Sequence, residues 1–269
     1  KIILSIEFFE LFLKVVSITL KYIHFFMTHN TLIVSNWKMN LNFLDAKKLL
    51  KNICKIKFDT TKTLHVICPQ NLLLPLLNEK FKDGNYKIGS QDFHHKINGP
   101  FTGDTSIELL KNFRCDYSII GHSERREYHA ETNKIINQKL KLALENSVSP
   151  ILCVGESLKQ RKEKTYSEFI ENQIQECVDG NMNELVIAYE PIWSIGTGII
   201  PSLGEIEEVI NKINLFVQRK KVKKFKVIYG GSVSANNFKK IMSLKNCKGV
   251  LIGGSSLKID QMNKILTFC

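Results

Sequence analysis

From Leu32 to the carboxyl end, short apolar runs alternate with longer stretches in which apolar residues recur every three or four positions. The short runs are typical of strands and the longer stretches of amphipathic helices. The eight strand-like runs are residues 32–35, 64–68, 87–89, 117–120, 150–154, 185–189, 226–229 and 250–252. The clearest helical stretches are residues 44–53, 107–113, 133–144, 167–177, 206–217 and 235–242. This alternation predicts βαβ units and a parallel sheet.

Most of the strand-like runs are almost wholly apolar, as expected for a parallel sheet that is covered on both faces. Eight repeats favour closure into a barrel over an open, doubly wound sheet. The open sheet would carry a glycine fingerprint after its first strand, but Asn36-Trp-Lys-Met-Asn stands there instead. We therefore predict an α/β fold, a single-domain (β/α)8 barrel over residues 31–269, preceded by residues 1–30 as a non-core extension or leader.

Residues 1–26 are strongly apolar, but Glu7, Glu10, Lys14 and Lys21 interrupt every window long enough to span a bilayer. We therefore expect no stable membrane insertion. A fragment or processed form, a start at Met27 and a targeting leader are the interpretations of this segment that stay open. The expected location is the cytoplasm, or a plastid-type organelle such as an apicoplast if residues 1–26 act as part of a leader.

The composition changes this picture little, since 43% hydrophobic and 24% charged residues are ordinary for a globular protein. A net charge of +12 would suit nucleic acid, but the lysines are spread along the chain and no nucleic-acid motif occurs. We expect no nucleic-acid partner, and expect the charge to attract an anionic substrate. The seven cysteines include no Cys-x-x-Cys pair, so neither a disulfide framework nor a metal site is predicted.

Polar residues that can carry chemistry follow the strand-like runs directly. They are Asn36 and Lys38 after the first, Gln91 after the third, His122 and Glu124 after the fourth, and Glu190 after the sixth. Barrel enzymes gather their catalytic groups at the carboxyl ends of the strands. The pairs Gly230 with Gly231 and Gly253 with Gly254 follow the last two runs, where backbone amides can approach a phosphate closely.

Four stretches resemble motifs of the triosephosphate isomerase family. They are Asn36-Trp-Lys-Met-Asn, Gly121-His-Ser-Glu-Arg-Arg126, Ala188-Tyr-Glu-Pro-Ile-Trp-Ser-Ile-Gly-Thr-Gly198 and Tyr229-Gly-Gly-Ser-Val233. Together they are highly specific, and they stand in the family's order. The resemblance implies an aldose-ketose isomerase of glycolysis and gluconeogenesis, which interconverts dihydroxyacetone phosphate and D-glyceraldehyde 3-phosphate through an enediolate. It implies no metal and no organic cofactor.

The same resemblance assigns the reacting residues. Glu190 is implied as the base, since a carboxylate at a strand end can take a proton from one carbon and return it to its neighbour. His122 is implied as a neutral imidazole that serves the substrate oxygens, a behaviour for which this family is itself the usual example. Lys38 would neutralise the enediolate and the phosphate, Asn36 would position Lys38 and the substrate oxygens, and Glu124 would lie near His122 and Lys38.

Backbone amides of Gly196, Ser232, Gly253 and Gly254 are implied to bind the substrate phosphate. Gly196 belongs to a stretch that resembles the family's mobile lid, whose closure excludes water.

The stretch 91–106 resembles the family's dimer loop, so a homodimer is expected, with Thr102 reaching toward the partner's active site. The positions that depart from the family pattern are Asp104 in place of glutamate, Ser194 and Ser255 in place of alanine, and Ile199 in place of lysine. No departure removes a reacting group.

Two other functions fit part of the pattern. Another phosphate-binding barrel, such as an aldolase or an indole-forming enzyme, would share the glycine loops, but an aldolase needs a strand-end lysine for a Schiff base and only Lys38 is comparable. A catalytically altered barrel that acts as a phosphate-ligand binding or scaffold protein is the non-enzymatic alternative. The complete set of Asn36, Lys38, His122 and Glu190 favours the isomerase.

Overall fold

The computed structural model describes residues 29–81, 86–180, 182–195 and 199–269. Eight parallel strands form a closed barrel in sequence order, and β1 pairs with β8. The strands are β1 (Thr31–Asn36), β2 (Thr63–Cys68), β3 (Tyr86–Ser90), β4 (Cys115–Ile120), β5 (Ser149–Val154), β6 (Glu184–Tyr189), β7 (Lys224–Tyr229) and β8 (Gly249–Ile252). The predicted (β/α)8 barrel is confirmed, and each strand begins one or two residues before the predicted start.

Helices connect the strands around the outside of the barrel. They are α1 (Phe43–Ile53), α2 (Leu74–Lys80), α3 (Ile107–Asn112), α4 (Ser123–Tyr128), α5 (Asn133–Glu145), α6 (Leu158–Lys162), α7 (Tyr166–Cys177), α8 (Leu203–Arg219), α9 (Phe238–Met242) and α10 (Ile259–Phe268). Short 3₁₀ helices cover Asn71–Leu73, Ile192–Ser194 and Gly254–Leu257. Helix α9 starts later than the predicted residue 235 because the Ser234 amide donates to Asn237 Oδ1, which makes a turn there.

The strands are buried on both faces, as their apolar sequences predict. Leu32 and Val34 of β1 belong to a cluster that fills the barrel interior, together with residues such as Ile119 of β4. Ile33 points the other way and packs with helix residues such as Leu50. Side chains alternate across a strand, so two separate apolar layers arise from one continuous apolar run.

Residues 1–28 lie outside the described part of the chain. The prediction of a separate extension over residues 1–30 therefore stays a prediction. Among the described residues, no helix combines the length and apolar character that a membrane crossing requires.

Candidate active site

At the carboxyl ends of the strands the barrel opens into a hollow of about 660 Å³. The predicted site residues that line it are Asn36, Lys38, His122, Glu190, Ser232, Gly253 and Gly254. Asn36 ends β1, and the others come from segments that follow β1, β4, β6, β7 and β8. The barrel thus brings the residues that were predicted to carry the acid/base chemistry and the glycine loops together at one place.

Glu190 follows β6 and is only 2% exposed. Its Oε1 lies 3.2 Å from Nε2 of His122, and its Oε2 accepts a hydrogen bond of 3.3 Å from the Ser123 amide. Ser123 is the first residue of α4, where the free amides carry partial positive charge. The carboxylate is therefore buried but stabilised by two donors.

The backbone around Glu190 leaves no room for side chains at two glycines. A Cβ on Gly155 would lie 1.7 Å from the Glu190 carbonyl oxygen, and one on Gly230 would lie 2.9 Å from Glu190 Cγ. Both distances are far below a van der Waals contact. These glycines allow neighbouring loops to close tightly on the carboxylate.

Cys153, at the end of β5, also faces Glu190. Burial, followed by the charge of Glu190 and a hydrogen bond with it, raises the pKa of the Cys153 thiol well above its ordinary value. The thiol therefore stays protonated, and its hydrogen is available to the carboxylate.

The position of His122 fixes which nitrogen of its ring carries hydrogen. His122 is the N-cap of α4, and its Nδ1 lies 3.2 Å from the Glu124 amide, which donates to it. A nitrogen that accepts a hydrogen bond carries no hydrogen, so the hydrogen of the neutral ring is on Nε2. That Nε2 faces Glu190 and the hollow.

Lys38 has an unusual backbone, with a φ of 50°. The conformation is held by the Lys38 amide, which donates to Asn36 Oδ1 at 3.0 Å, and by Gln91 Nε2, which donates to the Lys38 carbonyl at 2.8 Å. A non-glycine residue in this region is strained, and such strain is commonly found at functional sites. Gln91, which sequence analysis placed after the third strand without a role, supports Lys38.

Glu124 lies beside both residues that it was expected to approach. Its Oε1 is 2.5 Å from Lys38 Nζ, and its Oε2 is 3.6 Å from His122 Nδ1. The first distance is a charged hydrogen bond, whereas the second is too long for one. Glu124 therefore orients the lysine directly.

The glycine loops lie next to the ammonium group. A Cβ on Gly253 would be 3.5 Å from Lys38 Cε, and one on Gly254 would meet nothing within 4 Å. The Ser232 amide donates to Ser194 Oγ at 3.4 Å. Gly196 lies outside the described residues, so its predicted role stays a prediction.

Glu156 is a further residue near the hollow that was not predicted from the sequence, and it is fully buried two residues after β5. Its Oε1 accepts from the Tyr189 hydroxyl at 3.1 Å and from Trp193 Nε1 at 3.0 Å. Burial raises the pKa of Glu156, and these two hydrogen bonds act against that rise. Glu156 closely follows a strand, as the other site residues do, and this position in the sequence could have identified it as a candidate.

Comparison with known proteins gives one consistent result. A family model described as triosephosphate isomerase matches residues 31–269. A protein named triosephosphate isomerase from Alkaliphilus metalliredigens (strain QYMF) is 38% identical over 245 residues, which cover 88% of this chain and 98% of that protein. One of the same name from Francisella tularensis subsp. mediasiatica (strain FSC147) is 35% identical over 242 residues, or 87% of this chain and 95% of that protein.

A third protein of that name, from Orientia tsutsugamushi (strain Ikeda), is 36% identical over 242 residues, with 88% of this chain and 96% of that protein covered. The matched region contains the whole barrel and every residue that lines the hollow. The chain belongs to the triosephosphate isomerase family.

Proposed function

We propose that this chain is an aldose-ketose isomerase that interconverts dihydroxyacetone phosphate and D-glyceraldehyde 3-phosphate by proton transfer through an enediolate. The observation that carries the proposal is the convergence of Glu190, His122 and Lys38 on one hollow. The reaction needs a base, a donor to the substrate oxygens and a fixed positive charge. These three side chains provide them without a metal or an organic cofactor.

Glu190 is the base in this proposal. Its carboxylate takes the proton from the carbon beside the carbonyl and returns it to the neighbouring carbon, which converts ketose to aldose. The carboxylate is almost wholly buried at the wall of the hollow, so it meets a bound substrate at a fixed position. The hydrogen bonds from Ser123 and His122 keep it in place until substrate arrives.

His122 serves the oxygens of the substrate. Its Nε2 hydrogen can be donated to the carbonyl oxygen, whose negative charge grows as the enediolate forms. The ring keeps this tautomer because the Glu124 amide occupies Nδ1. A neutral donor can give its proton to one oxygen and take the proton from the other.

Lys38 stabilises negative charge on the enediolate and on the phosphate, and Asn36 fixes the lysine backbone through its Oδ1. Glu124 holds the ammonium group at the wall of the hollow. Amides of Ser232, Gly253 and Gly254 bind the phosphate, together with that of Gly196. The proximity of Gly253 to Lys38 supports a phosphate position between the glycine loops and the ammonium group.

A homodimer is the proposed assembly. Large apolar side chains are exposed in the segments that follow the first four strands: Met39 is 87% exposed, Leu72 93%, Phe101 37% and Tyr128 72%. Exposed apolar groups on consecutive loops favour a protein interface. Thr102 lies exposed beside Phe101 and does not line the hollow of its own chain, which suits a residue that reaches the partner's site.

Sedimentation velocity tests the dimer. We expect Leu72→Asp to give a monomer, while Leu215→Asp, which changes another exposed leucine on α8, leaves the dimer intact. A monomeric native chain would contradict the proposal.

The location is a separate proposal: the chain works in the cytoplasm, or in a plastid-type organelle if residues 1–26 act as part of a targeting leader. Imaging the chain with and without residues 1–26 tests this. The same distribution for both would remove the targeting role.

The activity is tested by supplying purified chain with D-glyceraldehyde 3-phosphate and coupling any dihydroxyacetone phosphate to its reduction by NADH. We expect turnover that a metal chelator does not abolish. Borohydride treatment in the presence of dihydroxyacetone phosphate should leave the chain unmodified. Absence of turnover would contradict the proposal, and a trapped adduct on Lys38 would favour an aldolase.

A further inference from the structure

Ser194 joins the segment that follows the catalytic base to the loop that follows β7. It ends the 3₁₀ helix Ile192–Ser194 and is fully buried. Its carbonyl accepts a hydrogen bond of 2.6 Å from Ser232 Oγ, and its Oγ accepts one of 3.4 Å from the Ser232 amide. The two serines are therefore paired through both backbone and side chain.

The hydroxyl of Ser194 makes a contact that the family pattern does not supply, because alanine is the expected residue at this position. An alanine would keep the carbonyl that accepts from Ser232 Oγ, since residue 194 contributes only its backbone to that bond. It would lose the acceptor that faces the Ser232 amide. The Ser194 hydroxyl thus adds one interaction, which engages the Ser232 amide that is proposed to bind the substrate phosphate.

The loop that carries the Ser232 amide is tightly packed beside Ser194. A Cβ on Gly231 would lie 2.2 Å from the Tyr229 hydroxyl, so the loop between Tyr229 and Ser232 is packed against this tyrosine. Ser194 is itself fully buried, and its hydroxyl oxygen faces the Ser232 amide from within this packed region.

We propose that Ser194 lowers the affinity of the site for the substrate's phosphate group, because its hydroxyl competes with the phosphate for the Ser232 amide. The inference rests on the proposed function for the assignment of that amide. A bond of 3.4 Å is long, so the competition is weak and is overcome when a dianion arrives. Ser194 is a positioning residue that acts through Ser232 and does not touch the reacting atoms.

The test measures binding of inorganic phosphate to the full chain by isothermal titration, which does not depend on turnover. Ser194→Ala and Ser194→Gly both remove the hydroxyl and keep the carbonyl. We expect each to bind phosphate about threefold more tightly than the native chain, as for the loss of one weak competing hydrogen bond. Ser243→Ala is the control, because Ser243 Oγ bonds only to the Lys240 carbonyl at an exposed site.

Kinetics give the second measurement. We expect both Ser194 variants to show a lower KM for D-glyceraldehyde 3-phosphate, with kcat within about twofold of the native value, since the Glu190 and His122 contacts do not involve Ser194. Equal or weaker phosphate binding in either variant would overturn the proposal. Failure of the proposed function would appear differently, as absent turnover in the native chain.

Discussion

The carboxylate oxygen Oε1 of Glu190 lies 3.2 Å from Nε2 of His122, although one residue follows β6 and the other follows β4. The two side chains meet in the hollow because parallel strands of a barrel all end at the same rim. In the proposed mechanism, an entering substrate replaces this contact, and the carboxylate and the ring hydrogen then lie within reach of adjacent substrate atoms.

Shortening the base should slow the reaction strongly. Glu190→Asp withdraws the carboxylate by one methylene, so we expect kcat to fall at least about a hundredfold with little change in KM. Steady-state kinetics measure both values. Glu145→Asp, at the exposed end of α5, is the matched control and should behave as the native chain does. An unchanged kcat in Glu190→Asp would remove Glu190 from the role of base.

The ring of His122 should carry its hydrogen on Nε2 and none on Nδ1. The reason is the Glu124 amide, which donates to Nδ1. Nuclear magnetic resonance of the chain labelled with ¹⁵N at histidine distinguishes a bare from a protonated ring nitrogen, and His122→Gln identifies the signal. The opposite tautomer, or a ring with hydrogen on both nitrogens at neutral pH, would contradict the proposed donor.

Adding a methyl group at Gly155 should disturb the site. The new Cβ would meet the Glu190 carbonyl at 1.7 Å, so strand ends must separate. We expect Gly155→Ala to lower the free energy of unfolding by about 1–3 kcal/mol or more, as overpacking does, and to lower kcat as well.

Gly204→Ala is the matched control for that substitution. A Cβ at Gly204 meets nothing within 4 Å, and the residue lies in the first turn of α8. Alanine there should stabilise the fold by up to about 1 kcal/mol. Thermal unfolding compares the two variants, and equal effects would show that the close approach at Gly155 is without consequence.

Acid should destabilise the fold through His65, on β2. His65 is fully buried, its Nε2 lies 2.8 Å from Ser35 Oγ, and burial lowers its pKa from 6.5 to about 3. In the unfolded chain the ring binds a proton below about pH 6.5, while the folded chain resists protonation until about pH 3. The free energy of unfolding therefore falls as pH drops through this window, by about 2 kcal/mol at pH 5.

Urea unfolding at pH 7 and pH 5 measures this effect. We expect His65→Gln to lose that part of the pH dependence even if it is less stable at both values. His129→Gln, at an exposed position, should keep the native slope. If His65→Gln keeps the native slope, His65 is not the source of the acid sensitivity.

Sequence alone predicted the barrel because each strand carries its own apolar run, and a run is a local property of the chain. The same reasoning placed Lys38, His122 and Glu190 at one rim, since each follows a strand directly. Helix α6 was missed because none of its five residues is buried, so no apolar period marks it. The start of α9 depended on one Asn237 hydrogen bond, which apolar spacing does not record.

Contacts between segments that are distant in sequence were beyond prediction. The left-handed backbone of Lys38 depends on a hydrogen bond from Gln91. The hydrogen bond from the Ser232 amide to Ser194 Oγ depends on how two loops meet. Ser194 was noted as a departure from the family pattern, but only the structure shows which amide its hydroxyl faces. The tautomer of His122 likewise requires the position of the Glu124 amide.

In the proposed mechanism, Glu190 moves a proton between the two carbons of a bound triose phosphate. To follow this proton, the purified chain is supplied with D-glyceraldehyde 3-phosphate in deuterium oxide, and the product is recorded by proton nuclear magnetic resonance. A carboxylate that holds the proton can exchange it with solvent, so we predict dihydroxyacetone phosphate with solvent deuterium on C1 in part of the molecules, and almost no product with Glu190→Asp. Product from both chains at the same rate, or no product from the native chain, would contradict the account.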